Sequence, residues 1–305
     1  MAPPASRPAS DAARFLDPLV VSRLGSLELK ARAIVEGFLL GLHRSPYRGF
    51  SVEFAEYRQY MPGDDLSFVD WKVYARSDRY YVKRYEQETN LPCHLVLDTS
   101  ASMAYGSGGV TKLEYGQYAA AALAWLLVQQ RDAVGLLAFD EAIRAHLPPS
   151  SRPGHLRALL VALDRLKPGQ RSDMGRPLHD LADMITRRGL VVVLSDLLDE
   201  PSAVVDGLRH VRFRGMEVVV FHLMDHAELT FPFDRAMRFR DPEAETEVLA
   251  SPSVVREEYL RRVHDQNAFY ERELQTSGID YCLVDTSTPL DLMLLKYLSA
   301  RRRLV

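Results

Sequence analysis

Cysteine is nearly absent: the 305 residues contain two, Cys93 and Cys282, and no histidines stand near either at ligand spacing. That excludes a disulfide framework and a zinc site. Both fall at or inside apolar runs, where a cysteine acts as a small hydrophobe. Long hydrophobic runs are missing too. The longest uncharged apolar stretch, residues 119–128, is about half of what a bilayer requires. The amino terminus lacks a basic-then-apolar signal pattern, so a cytoplasmic protein with no membrane span is expected. Charge of one sign is also lacking. A formal net charge of −3 provides no basic field for nucleic acid or anionic lipid. There is no Gly-x-x-x-x-Gly-Lys loop, so the chain is not expected to hydrolyse ATP.

What remains is the composition of a globular protein, 47% hydrophobic and 26% charged, long enough for one large domain and a smaller extension. Residues 1–14, rich in Pro, Ala and Ser, are expected to be disordered. From Asp17 to about Leu42, Leu19, Leu24, Leu27, Ala31, Ile34, Val35, Phe38 and Leu42 recur at helical steps, which predicts one amphipathic helix. Residues 43–92 interleave aromatics, arginines and acids, and are expected to form a small, irregular, partly β module. Acids such as Asp64, Asp65, Asp70, Glu86 and Glu88 cancel its basic charge, which argues for internal Arg–carboxylate pairs over a nucleic-acid surface.

Beyond residue 92 strands and helices alternate, the pattern of a parallel sheet covered on both faces. Residues 133–139 and 143–147 are separated only by Asp140-Glu141-Ala142, too close for a crossover, so they should pair as a hairpin with an antiparallel edge strand. Helices are expected near 113–130, 154–166, 176–188, 202–213, 254–276 and 291–301, with strands at 190–194, 217–224 and 280–284. A β-hairpin excursion within 225–251, turning at Asp241-Pro242-Glu243, should stand near the carboxyl-terminal rim of the sheet. Three units follow: a tail, 1–14; a helix plus aromatic module, 15–91; and a main domain, 92–305.

The chemistry gathers where apolar runs stop. His94-Leu95-Val96-Leu97 ends in Asp98-Thr99-Ser100-Ala101-Ser102, and Val191-Val192-Val193-Leu194 ends in Ser195-Asp196. A third oxygen-bearing loop, Gln170-Arg171-Ser172-Asp173, follows a Pro-Gly turn. Loops at the carboxyl ends of parallel strands converge on a crevice, and carboxylate and hydroxyl oxygens there suit Mg²⁺ or Mn²⁺ rather than zinc or copper. The same residue types also form turns and helix caps.

Asp98-x-Ser100-x-Ser102, the distal hydroxyl and the strand-ending Asp196 resemble the metal-ion-dependent adhesion site of von Willebrand factor A domains. The resemblance implies an α/β, Rossmann-like fold: a mainly parallel sheet with one antiparallel edge strand and helices on both faces. It also implies Mg²⁺ or Mn²⁺ held directly by Ser100, Ser102 and Ser172, the last standing where that family has threonine, with Asp98 and Asp196 acting mostly through water. Pro62-Gly63-Asp64-Asp65, Asp70-Trp71, Ala75-Arg76 and Tyr81-Val82-Lys83-Arg84-Tyr85, together with the Asp98 motif, resemble the bacterial proteins grouped as domain of unknown function 58 from about residue 30 onward. Ser67 stands where that family more often has a basic residue. This resemblance implies an adaptor or assembly factor working with a MoxR-type AAA+ ATPase.

Three functions fit these residues. The first is a non-enzymatic module whose cation captures a partner's acidic side chain. The second is a metal-dependent hydrolase at the same Asp/Ser site, with His222, His226 and Asp173 as candidate bases. In the third the same residues only hold loops.

Overall fold

The computed structural model describes residues 17–44, 57–59, 81–83, 91–171, 173–240 and 246–301. The tail 1–14, the turn at 241–245, Ser172, Ser67, Arg302, Arg303 and most of the aromatic module lie outside the described residues. The chain divides into residues 45–90 and a larger unit made of 1–44 and 91–305. The amino-terminal helical segment, grouped above with the module, therefore belongs with the main domain. Of the smaller unit, β1 (Tyr57–Gln59) and β2 (Tyr81–Lys83) pair antiparallel.

In the larger unit the single helix expected from Asp17 to Leu42 is two, α1 (Pro18–Ser22) and α2 (Leu27–Arg44). Asp17 Oδ1 accepts from Leu19 N at 2.8 Å and Ser26 Oγ from Leu29 N at 3.2 Å, so each helix has its own cap and Gly25 lies in the break. Leu19, expected on the buried stripe, is exposed.

The central sheet contains β3 (Pro92–Asp98), β4 (Ala133–Phe139), β5 (Ile143–Ser150), β6 (Leu190–Ser195), β7 (Glu217–Met224) and β10 (Asp280–Asp285) in the order β10-β7-β6-β3-β4-β5. Every neighbouring pair is parallel except β4–β5, as the short 140–142 connection required. β5 runs to Ser150, three residues beyond its expected end, and carries Pro148 and Pro149 on the sheet's edge.

Side chains alternate between two cores, as the pleat dictates. Leu95, Leu97, Val192, Leu194, Val219 and Phe221 face one core with α2, α3 (Lys112–Gln129), α4 (His155–Arg165) and α9 (Leu290–Arg301). Val96, Leu137, Val191, Val193, Val218 and Val220 face the other, with α5 (Gly175–Met184), α6 (Pro201–Phe213) and α8 (Pro252–Thr276). Burial on both faces accounts for the near-continuous apolar strands. The short α7 (His226–Thr230), not foreseen from the sequence, follows β7. The expected hairpin is β8 (Met237–Arg240) against β9 (Glu247–Ala250), a separate antiparallel pair. Among the described residues no helix is long and apolar enough to cross a membrane.

Candidate metal-binding site

β3 and β6 are adjacent and parallel, so their carboxyl ends bring Asp98 and Ser195-Asp196 together. Asp98 is fully buried: Oδ1 accepts from Ser100 N at 2.8 Å and Oδ2 from Ser195 Oγ at 2.6 Å. A short 3₁₀ turn, Ala101–Ala104, follows and buries Ser102 and Met103. Ser100 and Ser102, both buried, are hydrogen-bonded to one another with hydroxyl oxygens 2.9 Å apart.

Ser172 lies outside the described residues, but the loop leading to it reaches the site. Gln170 O accepts from Ala101 N at 2.7 Å, and Gly169 N donates to Thr99 O at 2.6 Å. A Cβ on Gly169 would stand 2.1 Å from Asp140 Oδ2, so any larger residue would have to displace the Asp140 carboxylate.

One member of the cluster was not singled out from the sequence. Lys112 is completely buried, and its Nζ donates to Asp196 Oδ2 at 2.7 Å and to Glu228 Oε1 at 2.8 Å. Thr111 and Glu114 form a capping box that starts α3 at this residue. Burial pulls the ammonium's pKa down, but Asp196 and Glu228 outweigh it and hold the group above its ordinary value. Glu228, on α7, is itself raised, mainly by burial.

The ends of β3 and β6 and the start of α7 thus supply three carboxyl groups, Asp98, Asp196 and Glu228, the last two paired with the ammonium of Lys112. Burial, and then the neighbouring charge of Asp196, push Asp98 up to about 7.

His222 Nε2 meets the Asp196 carbonyl and Nδ1 meets the Tyr281 hydroxyl, both at 2.8 Å. Burial depresses its pKa to about 4, so it is neutral, with Nε2–H donating and Nδ1 accepting. His226 pairs with Asp285 at 2.8 Å, and Asp173 Oδ1 accepts from Arg176 N at 3.4 Å. None of the three candidate bases is brought against the Asp98–Ser102 oxygens.

Among the described residues no three His, Cys, Asp or Glu side chains group as a metal-ligand set. Any cation here relies on hydroxyls, and it would replace the hydrogen bond that joins Ser100 to Ser102. Oxygens at cis positions of an octahedron of about 2.1 Å radius lie about 3.0 Å apart, close to the 2.9 Å between Ser100 and Ser102. Together with the surplus of carboxylates, the donors fit Mg²⁺ or Mn²⁺.

Uncharacterized proteins of Mycobacterium tuberculosis and Mycobacterium bovis are each 27% identical over 293 residues, covering 94% of this chain and 91% of their own. Among solved structures, the conserved hypothetical protein BatB from Bacteroides thetaiotaomicron is similar at 16% identity, with a TM-score of 0.49 over 70% of this chain and 99% of that one. The SpRpn10 VWA domain is similar at 11% identity, with a TM-score of 0.37 over 67% of this chain and 93% of that one. The profile of the protein of unknown function DUF58 matches residues 56–269, most of the chain, and the protein belongs to that family.

Proposed function

We propose that the chain is a non-enzymatic, divalent-cation-dependent protein-binding module. The observation that carries this reading is the buried hydroxyl pair, Ser100 and Ser102, beside carboxylates that outnumber the single ammonium of Lys112. Ser100, Ser102 and Ser172 would hold Mg²⁺ or Mn²⁺ directly, with Asp98 and Asp196 acting through water. A cation bound mainly by neutral oxygens keeps positive character, and its chemistry is to accept a carboxylate from outside. An incoming Asp or Glu then forms a charge-assisted contact that an amide cannot match. The partner is a protein presenting an acidic side chain, and the resemblance described above points to a MoxR-type AAA+ ATPase in the cytoplasm. His222, with both ring nitrogens engaged and a depressed pKa, is ill suited to serve as a hydrolytic base.

Calorimetry of the purified chain with Mg²⁺ and Mn²⁺, followed by a tagged pull-down with and without EDTA, tests the proposal. Saturable binding that is lost in Ser100→Ala, and a partner lost in EDTA, is the expected result. A partner retained equally in EDTA and by Ser100→Ala refutes it.

A further inference from the structure

Asp98, Ser100 and Asp196 are buried, and Ser102 and Lys112, in contact with Ser100 and Asp196, line a cavity of about 560 Å³. The other walls of this cavity are largely aromatic, formed by Phe231, Phe233, Phe239 and Tyr259. Phe231 stacks on Phe239 with centroids 5.5 Å apart, and lies 5.1 Å from Phe233 and 4.6 Å from Tyr259. These rings come from the end of α7, the loop after it, β8 and α8, so tertiary structure sets the cup before any ligand arrives.

The backbone is forced at two places beside the cup. Leu197, directly after Asp196, has φ 52°, and Phe231 has φ 46°, a region bulky residues rarely adopt. The Leu197 carbonyl accepts from the buried Tyr270 hydroxyl at 3.0 Å, and the Phe231 amide donates to Ala227 O at 2.9 Å. Strain that the surrounding structure maintains gathers at ligand sites.

We infer that the partner segment captured here carries a large apolar or aromatic side chain close in sequence to its acidic residue, the acid meeting the cation and the apolar group filling the cup. The inference rests on the cation-dependent reading above. Charge favours this occupant. Glu228 is the cup's carboxylate, and its two oxygens are engaged by Lys112 Nζ and the Asp225 amide, while Arg240 presents an exposed guanidinium at the wall. The apolar surface also continues outward, as a protein segment requires. Val248 lies opposite Phe239 across the hairpin, on the same face of it, and is 60% exposed.

The test is a random dodecapeptide display selection on the full chain in Mg²⁺. Enriched peptides should place Asp or Glu within two residues of Phe, Tyr, Trp or Leu. A synthetic winner should bind at least about tenfold more tightly than its analogue with alanine at the apolar position. Phe239→Ala should abolish that difference, as should Leu198→Ala, whose parent side chain lines the cup and is 43% exposed, so that its loss leaves the fold intact. Enrichment without an apolar residue, no consensus at all, or an apolar preference untouched by both variants overturns the inference. Repeating the selection in EDTA separates the two claims: an acid preference that persists there refutes the cation, while the apolar preference continues to report on the cup.

Discussion

Replacing Lys112 by methionine keeps an unbranched side chain of similar length and removes the ammonium that holds Asp196 at 2.7 Å and Glu228 at 2.8 Å. Both Lys112 and Asp196 side chains are 1% exposed, so water cannot take over the lost role. Removing one partner of a buried ion pair costs about 3–5 kcal/mol, a large share of the roughly 5–15 kcal/mol that holds a typical domain together. Arg209 and Asp206 give the contrast: they are 3.7 Å apart but 44% and 67% exposed, so Asp206→Ala should cost less than about 1 kcal/mol. Urea unfolding in divalent-free buffer reads both numbers. Adding Mg²⁺ should then stabilise Lys112→Met more than the parent chain, because the variant's carboxylates lack their internal cation and bind an external one more tightly. A Lys112→Met midpoint equal to that of the parent would show that the ammonium carries no buried charge. An equal Mg²⁺ response in both would place any cation away from Asp196.

Asp98→Ala should abolish calorimetric Mg²⁺ binding while costing only about 1–3 kcal/mol of stability, since Ser195 Oγ and Ser100 N each lose an acceptor; unchanged affinity in a folded variant would dismiss the site. His94 has its pKa depressed to about 4, by burial first and then by the charge of His146. Its native state therefore binds fewer protons than the unfolded chain between about pH 6.5 and 4, so stability should fall as pH drops through that window, by up to about 3 kcal/mol; a His94→Gln chain with the same acid slope would exclude His94 as the cause. Cys93 and Cys282 lie on β3 and β10, with β6 and β7 between them, roughly 14 Å apart at the usual strand spacing. No disulfide can join them, and thiol titration of the native chain should label partly exposed Cys282 before buried Cys93; the reverse order would contradict the strand arrangement.

Asp98 and Asp196 were legible because an apolar run too short for a helix and ending in an acid places that acid at a strand's carboxyl end. The antiparallel edge was legible because three residues cannot support a crossover. The break between α1 and α2 was not: Arg23 to Ser26 span about one helical turn, so the apolar stripe resumes in phase and the sequence reads as one helix. Lys112 was missed because a lysine in a helix's first turn reads as solvent-facing. The available signal was Thr111-x-x-Glu114, which begins the helix close behind the Asp98 loop. The aromatic cup had no local signal, because Phe231, Phe239 and Tyr259 belong to separate elements and meet only when the chain folds.

Pro148 and Pro149 lie on β5, one of the two edge strands of the central sheet. Each removes a backbone donor from the strand that would otherwise template another chain's β-strand. A Cβ on neighbouring Gly135 would stand 2.7 Å from both Leu147 O and Pro149 N, so the irregular register there depends on glycine. This margin of the sheet is therefore guarded against edge-to-edge aggregation. In a crowded cell that protection discourages copies of the chain from joining through the backbone of β5.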